Sequence, residues 1–142
     1  MRLQDFDFRI WNNNSKTYEA ETIVESLGFI TGVLNQLSYE KPTIDYEIEL
    51  FTGLYDKNGN KIYENDILEY ESLEEIYHIT RDNTYKMFKI EIFSKNFNNK
   101  IYKRKAEPDI SFLKSLKSEK NMKVIGNIHE NKELLKDEEL LK

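Results

Sequence analysis

The residues of this chain whose types and spacing could do chemistry lie mostly in its middle third. Asp56-x-Asn58-Gly59-Asn60 sets oxygen ligands close together, as a calcium loop does. An EF-hand loop, however, places its glycine sixth and a bidentate glutamate twelfth, where the sharp turn and the closing ligand are needed. Here Gly59 is fourth and the twelfth residue is Ile67. The same residues suit a tight reversal better, because Asn and Gly tolerate positive φ at low steric cost. Glu64 and Asp66 stand two apart and could form a carboxylate pair, but corners attract acids and amides for turn chemistry alone. The two histidines, His78 and His129, fall on different expected elements. A zinc site would need them to converge with carboxylates, and their spacing gives no such set. There is no cysteine, no phosphate-binding glycine loop and no serine in a nucleophile elbow. The residues therefore predict no catalytic group, no metal and no cofactor, and a protein that is not an enzyme.

A second constellation is basic and aromatic: Lys95, Phe97, Lys100, Tyr102, Lys103, Arg104 and Lys105. On a hairpin these could track phosphates while stacking bases of single- or double-stranded nucleic acid. The same pattern also describes a solvated edge strand whose lysines prevent edge-to-edge pairing. Trp11, the only tryptophan, reads first as a core anchor and second as a stacking platform. Charge is unevenly spread. Residues 40–85 hold four Lys or Arg against twelve Asp or Glu, whereas residues 86–123 hold eleven against four, within a net charge of −5. The two segments can neutralise each other inside one domain or draw two subunits together.

These residues must be positioned by short elements. Tyr46, Ile48 and Leu50 alternate with Glu47 and Glu49, and Phe88, Ile90 and Ile92 alternate with Lys89 and Glu91, both with the period of a strand. Phe6, Phe8 and Ile10 mark a first strand, and Asn12 to Ser15 a turn returning through Lys16 to Ala20. Ile23, Leu27, Ile30, Leu34 and Leu37 fit one face of a helix, although Gly28 and Gly32 would also suit a hairpin. Pro108-Asp109 predicts the start of a short helix through Ser118, with Ile110, Leu113 and Leu116 inward. Gly126 inside a last strand suggests a bulge, and Asn131 can cap a final helical tail. At 142 residues the chain suits a single domain, 1–142, with residues 131–142 as a tail packing on the domain or on a neighbouring subunit. The expected fold is α+β and mainly β: antiparallel hairpins forming a small twisted sheet or partly open barrel, with two or three accessory helices. The polar start is no signal peptide and no apolar run spans a bilayer, so the expected compartment is the cytoplasm.

Three pieces of the sequence carry a resemblance. Phe51-Thr52-Gly53-Leu54, Asp56-Lys57-Asn58-Gly59 and Ile62-Tyr63-Glu64-Asn65-Asp66-Ile67 resemble the central motif of the YopX family. Phe8-Arg9-Ile10-Trp11 resembles its amino-terminal segment, and Val124 to Asn131 with Glu133-Leu134-Leu135 its carboxy-terminal one. The resemblance brackets nearly the whole chain and marks Trp11, Gly53, Asn58, Gly59, Tyr63, Asp66, Gly126 and Asn127 as a structural motif. Asn65 stands where the family usually has Gly, Asn12 where it has Asp, Lys132 where it has Pro, and His129 where it more often has an aromatic residue. The resemblance implies a small phage- or prophage-encoded protein working in the host bacterial cytoplasm, and implies no particular activity. The combined expectation is a non-enzymatic protein-interaction module that self-associates, with nucleic-acid binding through residues 95–105 as the alternative.

Overall fold

The computed structural model describes residue 2 and residues 6–37, 44–82, 87–95 and 100–136. The chain is mainly β with accessory helices, as the periodicities imply. It divides into two compact units, Met1–Phe51 and Thr52–Lys142.

The first unit is a helix laid on a small sheet. β1 (Phe8–Asn12) pairs antiparallel with β2 (Thr17–Ala20) and with the first half of β3 (Tyr46–Tyr55). The β1–β2 turn is organised by Asn12, whose Oδ1 accepts the N–H groups of Asn14 at 2.8 Å and Ser15 at 3.0 Å. Such self-bonding is the reason Asn clusters make turns. The ambiguous segment is a helix, α1 (Ile23–Leu37). Thr22 starts it by accepting the N–H of Glu25 at 3.2 Å, while its hydroxyl donates to the Glu25 carboxylate at 3.1 Å. Ile23, Phe29 and Ile30 pack against Phe8, Ile10 and Ala20, together with Tyr46 and Leu50. Ser26 is fully buried, and its hydroxyl donates to the Phe8 carbonyl at 2.8 Å. Ile23 and Ile30 of the expected face are inward, but Leu27 is 52 % exposed; the side chains of Leu34 and Leu37 lie outside the described residues. The sheet takes up Ser26, one position away, because a small side chain that bonds the strand backbone lets helix and sheet approach closely.

The strand faces also depart from simple alternation. Ile48 is 45 % exposed, whereas Glu49 is fully buried. Register explains the buried acid: Arg9 lies directly opposite Glu49. Arg9 Nε reaches the carboxylate at 2.6 Å, and the Tyr18 hydroxyl donates to it at 2.9 Å. A buried charge that is both paired and hydrogen-bonded escapes most of its desolvation cost.

In the second unit the end of β3 leads through the 56–60 turn into β4 (Lys61–Tyr63). A five-stranded antiparallel sheet then forms from β5 (Asp66–Tyr70), β6 (Glu75–Asp82), β7 (Met87–Lys95), β8 (Ile101–Lys103) and β9 (Lys123–Asn127), in the order β8-β7-β6-β5-β9. Both faces of this sheet are apolar. Ile62, Leu68, Tyr77, Ile79, Ile90, Ile92, Leu113 and Met122 form the main core. Ile67, Ile76 and Phe93 form a second cluster, covered by Ile101, Ile125, Leu134 and Leu135. The helix expected from Asp109 to Ser118 is two pieces, α2 (Ser111–Ser115) and α3 (Ser118–Asn121). Lys117, at φ +54°, breaks the run between them. Leu113 is buried, with Ile110 and Leu116 packed beside it, as the spacing predicts. The tail begins as a 3-10 turn, Lys132–Leu135, rather than an α-helix, and Asn131 makes no side-chain cap. Its Oδ1 is used instead by the Asn127 N–H, at 3.2 Å. Leu134 and Leu135 thus dock on their own unit; residues 137–142 of the expected tail lie outside the described residues. Among the described residues no helix is long and apolar enough to cross a membrane.

Candidate functional site

Most of the resemblance motif is spent on backbone geometry. Asp56, 2 % exposed, accepts N–H groups from Asn58 at 2.9 Å, Asn60 at 2.8 Å and Val124 at 3.0 Å. One carboxylate thereby closes the turn and ties it to β9. Burial pushes this carboxyl up, but the bonds from Val124, Asn60 and Asn58 outweigh burial and hold it below the ordinary value. Gly53 and Gly59 take φ of +86° and +81°, where a side chain would be strained. Asn65, the departure from Gly, sits at φ +71°, a conformation Asn tolerates. Asp66 accepts the Tyr63 N–H at 2.8 Å while Glu64 faces Arg81 at 3.1 Å, so each carboxylate has its own partner. Asn127 accepts the N–H groups of His129 at 3.0 Å and Glu130 at 2.9 Å. Trp11 is buried, its ring edge-on to Tyr18 at 4.9 Å.

The basic segment is interleaved with acids. Lys95 reaches Glu69 at 3.4 Å and Arg104 reaches Glu75 at 3.3 Å, both partners from the acid-rich stretch. Lys103 reaches Glu91 at 2.5 Å and Glu107 at 3.3 Å. Lys100 and Lys105 are exposed, Tyr102 is half-buried, and Phe97 lies outside the described residues.

Behind Lys103 is the arrangement with the most chemical content, and the sequence reading missed it. His78 on β6 stands directly opposite Glu91 on β7, its Nδ1 at 2.6 Å from the carboxylate. Their common face carries Ile76 and Phe93, so the pair sits at the border of the second apolar cluster. The His78 hydrogen bond, opposed by burial and helped by Lys103, holds the Glu91 carboxyl down at about 2. The contact with Glu91 in turn raises the Lys103 ammonium above its ordinary value, against the effect of burial. His78 and Glu91 open on a cleft of about 480 Å³. Phe93, Ile128 and Leu135 supply its apolar walls, and Lys132, Glu133 and Lys136 its rim. The His78 side chain is 9 % exposed, and among the described residues nothing hydrogen-bonds its Nε2. The two partners are 13 residues apart, and only strand register could have revealed them.

A carboxylate held down in the fold contributes stability that is present above its unfolded pKa and lost as pH falls through the folded one. The Glu91 contribution is therefore expected to vanish between pH 4.5 and about 2. Urea midpoints measured across that window should fall with pH in the native protein and fall less in Glu91→Gln. Equal slopes would show that the His78–Glu91–Lys103 contact adds nothing to stability.

The family model described as YopX protein matches residues 7–136. No curated protein sequence matches the chain. Among solved structures, protein EF1440 from Enterococcus faecalis is similar at 20 % identity, over 92 % of this chain and 98 % of that one, with a TM-score of 0.44. A likeness at that level carries no argument about function.

Proposed function

The chain belongs to the YopX protein family, and from that premise we propose that it is a non-enzymatic accessory protein of a phage or prophage. In this reading it acts in the bacterial cytoplasm as a protein-interaction module and self-associates through the outer face of α1. The composition of that face carries the reading. Val24 is 77 % exposed, and Leu27, Gly28, Thr31 and Gly32 are exposed beside it. A surface helix ordinarily presents polar and charged side chains there. Gly28 and Gly32 each cost roughly 1 kcal/mol relative to Ala in a helix. A Cβ at either position would meet nothing within 4 Å, so the fold has no steric need of them. A second copy packed against α1 gives both the apolar side chains and the bare backbone a use, since a two-fold axis sets one patch against itself. Protein contacts are favoured over nucleic acid because Lys95, Lys103 and Arg104 already face carboxylates, which lowers the charge free to displace counterions from phosphates.

Light scattering at moderate salt and tens of micromolar protein tests the reading, with a mass above the 17.0 kDa of one chain expected. Val24→Asp with Leu27→Asp should return the protein to monomers. Gly28→Ala with Gly32→Ala should raise the stability of the monomer by about 1 kcal/mol per site while weakening association. A monomer mass for the unaltered protein would sink the proposal.

A further inference from the structure

We propose that Asn58 is a site of spontaneous covalent modification in the folded chain, and that the isoaspartyl product loosens the turn that Asp56 closes. The reaction needs water and nothing else. The Gly59 backbone nitrogen attacks Asn58 Cγ, the carboxamide C–N bond breaks, and ammonia leaves with the proton that the attacking nitrogen gives up. Water then opens the cyclic imide at either carbonyl. One opening gives an ordinary aspartate, and the other gives a main chain that runs through the former side chain.

Three observations single out this asparagine. The first is access. Residues 57–60 are exposed, so water reaches the turn and ammonia can leave it. A Cβ at Gly59 would meet nothing within 4 Å, and glycine puts no side chain of its own beside the attacking nitrogen. The second is the state of the carboxamide. Asn58 donates its backbone N–H to Asp56 Oδ1 at 2.9 Å, but its side chain makes no hydrogen bond among the described residues. The side chains of Asn12, Asn14, Asn60, Asn127 and Asn131, by contrast, each hold a bond of the fold. The third is the hold on the nucleophile. Gly59 N–H donates to the Asp56 carbonyl at 3.1 Å, toward the long end of such bonds. A local opening of the turn frees this nitrogen while Val124 stays bonded to the Asp56 carboxylate.

The isoaspartyl product has a main chain one methylene longer, inside a turn that depends on short spans. The N–H groups of residues 58 and 60 share Asp56 Oδ1, at 2.9 and 2.8 Å. Lengthening the chain between them shifts these donors off their common acceptor. The product also brings a second carboxylate close to Asp56, and like charges repel.

The test uses the whole chain, aged at neutral and mildly alkaline pH, with the products at each asparagine followed by digestion and mass spectrometry. Asn58 is expected to react about tenfold faster than Asn14 or Asn131, whose carboxamides must first give up a bond of the fold, a cost that adds to the barrier. The rate should rise with pH, because the attacking nitrogen must lose its proton. Urea below the unfolding transition should leave the rate unchanged, as local opening of the turn requires. Aged protein should unfold at a lower urea concentration than fresh protein. Asn58→Gln, whose longer side chain closes the ring far less readily, should remove both the products and the loss of midpoint. Should that variant not fold, the ranking of the three asparagines in the unaltered chain still decides. Equal rates at the three positions, a rate that tracks the unfolded fraction, or an aged protein with an unchanged midpoint would each overturn the proposal.

Discussion

Replacing Asp56 with Ala is expected to destabilise the protein by about 3–5 kcal/mol, the largest effect of any single substitution considered. Hydrogen bonds to a charged group contribute roughly 1.5–3 kcal/mol each, and Asp56 accepts three from backbone N–H groups and a fourth from the Asn60 side chain at 3.2 Å. The values do not simply add. Residues 57–60 are exposed, so water can take over part of the turn, but the bond to Val124 anchors β9, and β9 pairs with β5. Asp56→Asn should cost less, because its oxygen still serves one side while its NH₂ faces donors on the other. Urea denaturation of both variants provides the measurement. A loss below about 1 kcal/mol for Asp56→Ala would mean that the turn holds itself. The acid dependence has a defined sign: this carboxyl is held low, so its contribution is present above the unfolded pKa and disappears as pH falls through the folded one.

The second large effect is expected at Gly126. A Cβ there would lie 2.3 Å from Asn131 Oδ1, 2.5 Å from its Cγ and 2.8 Å from its Cβ. Rotating the Asn131 side chain cannot clear the last of these contacts, so the backbone must move. That movement would disturb the Asn127 N–H bond to Asn131 Oδ1 at 3.2 Å and the Asn131 N–H bond to the Asn127 carbonyl at 2.8 Å. Overpacking of this kind costs roughly 1–3 kcal/mol, and Gly126→Ala is expected at the upper end. Asn131→Gly in the same chain removes the clash, so the double variant should lose less than the sum of the single ones. A coupling energy of about 1 kcal/mol or more in the cycle is expected, and additivity would contradict the close approach. Lys132, Glu133, Leu135 and Lys136 follow Asn131 and line the cleft, so Gly126→Ala should also alter its wall.

Local chemistry wrote part of this fold directly into the sequence. Asn58-Gly59 is a turn because the backbone there needs φ of +81°, and Phe88, Ile90 and Ile92 line the side of β7 that their spacing implies. Gly126 marks the bulge it suggested, with Ile67 opposite Gly126 and Leu68 opposite Val124. The full-length family resemblance was legible for the same reason: its motif residues hold turns and bulges, whose demands act over two to four positions. Even α1 had a local sign beyond its apolar spacing, the Thr22-x-x-Glu25 start.

Tertiary structure decided whatever depends on which residues stand opposite one another. Spacing cannot tell that Glu49 is buried and Ile48 exposed, because Arg9 and Tyr18 reach that carboxylate from other strands. Leu27 belongs to the helical apolar stripe by spacing, yet the sheet accepts Ser26 through a bond to the Phe8 carbonyl. The cleft depends most on assembly. His78 and Glu91 become partners only because the β6–β7 register sets them face to face. A one-residue slip would send the two side chains to opposite faces of the sheet. Alternation along a strand is a property of the backbone and can be read from one segment. Register, and with it the unpaired imidazole nitrogen, is a property of two segments held together by everything packed around them.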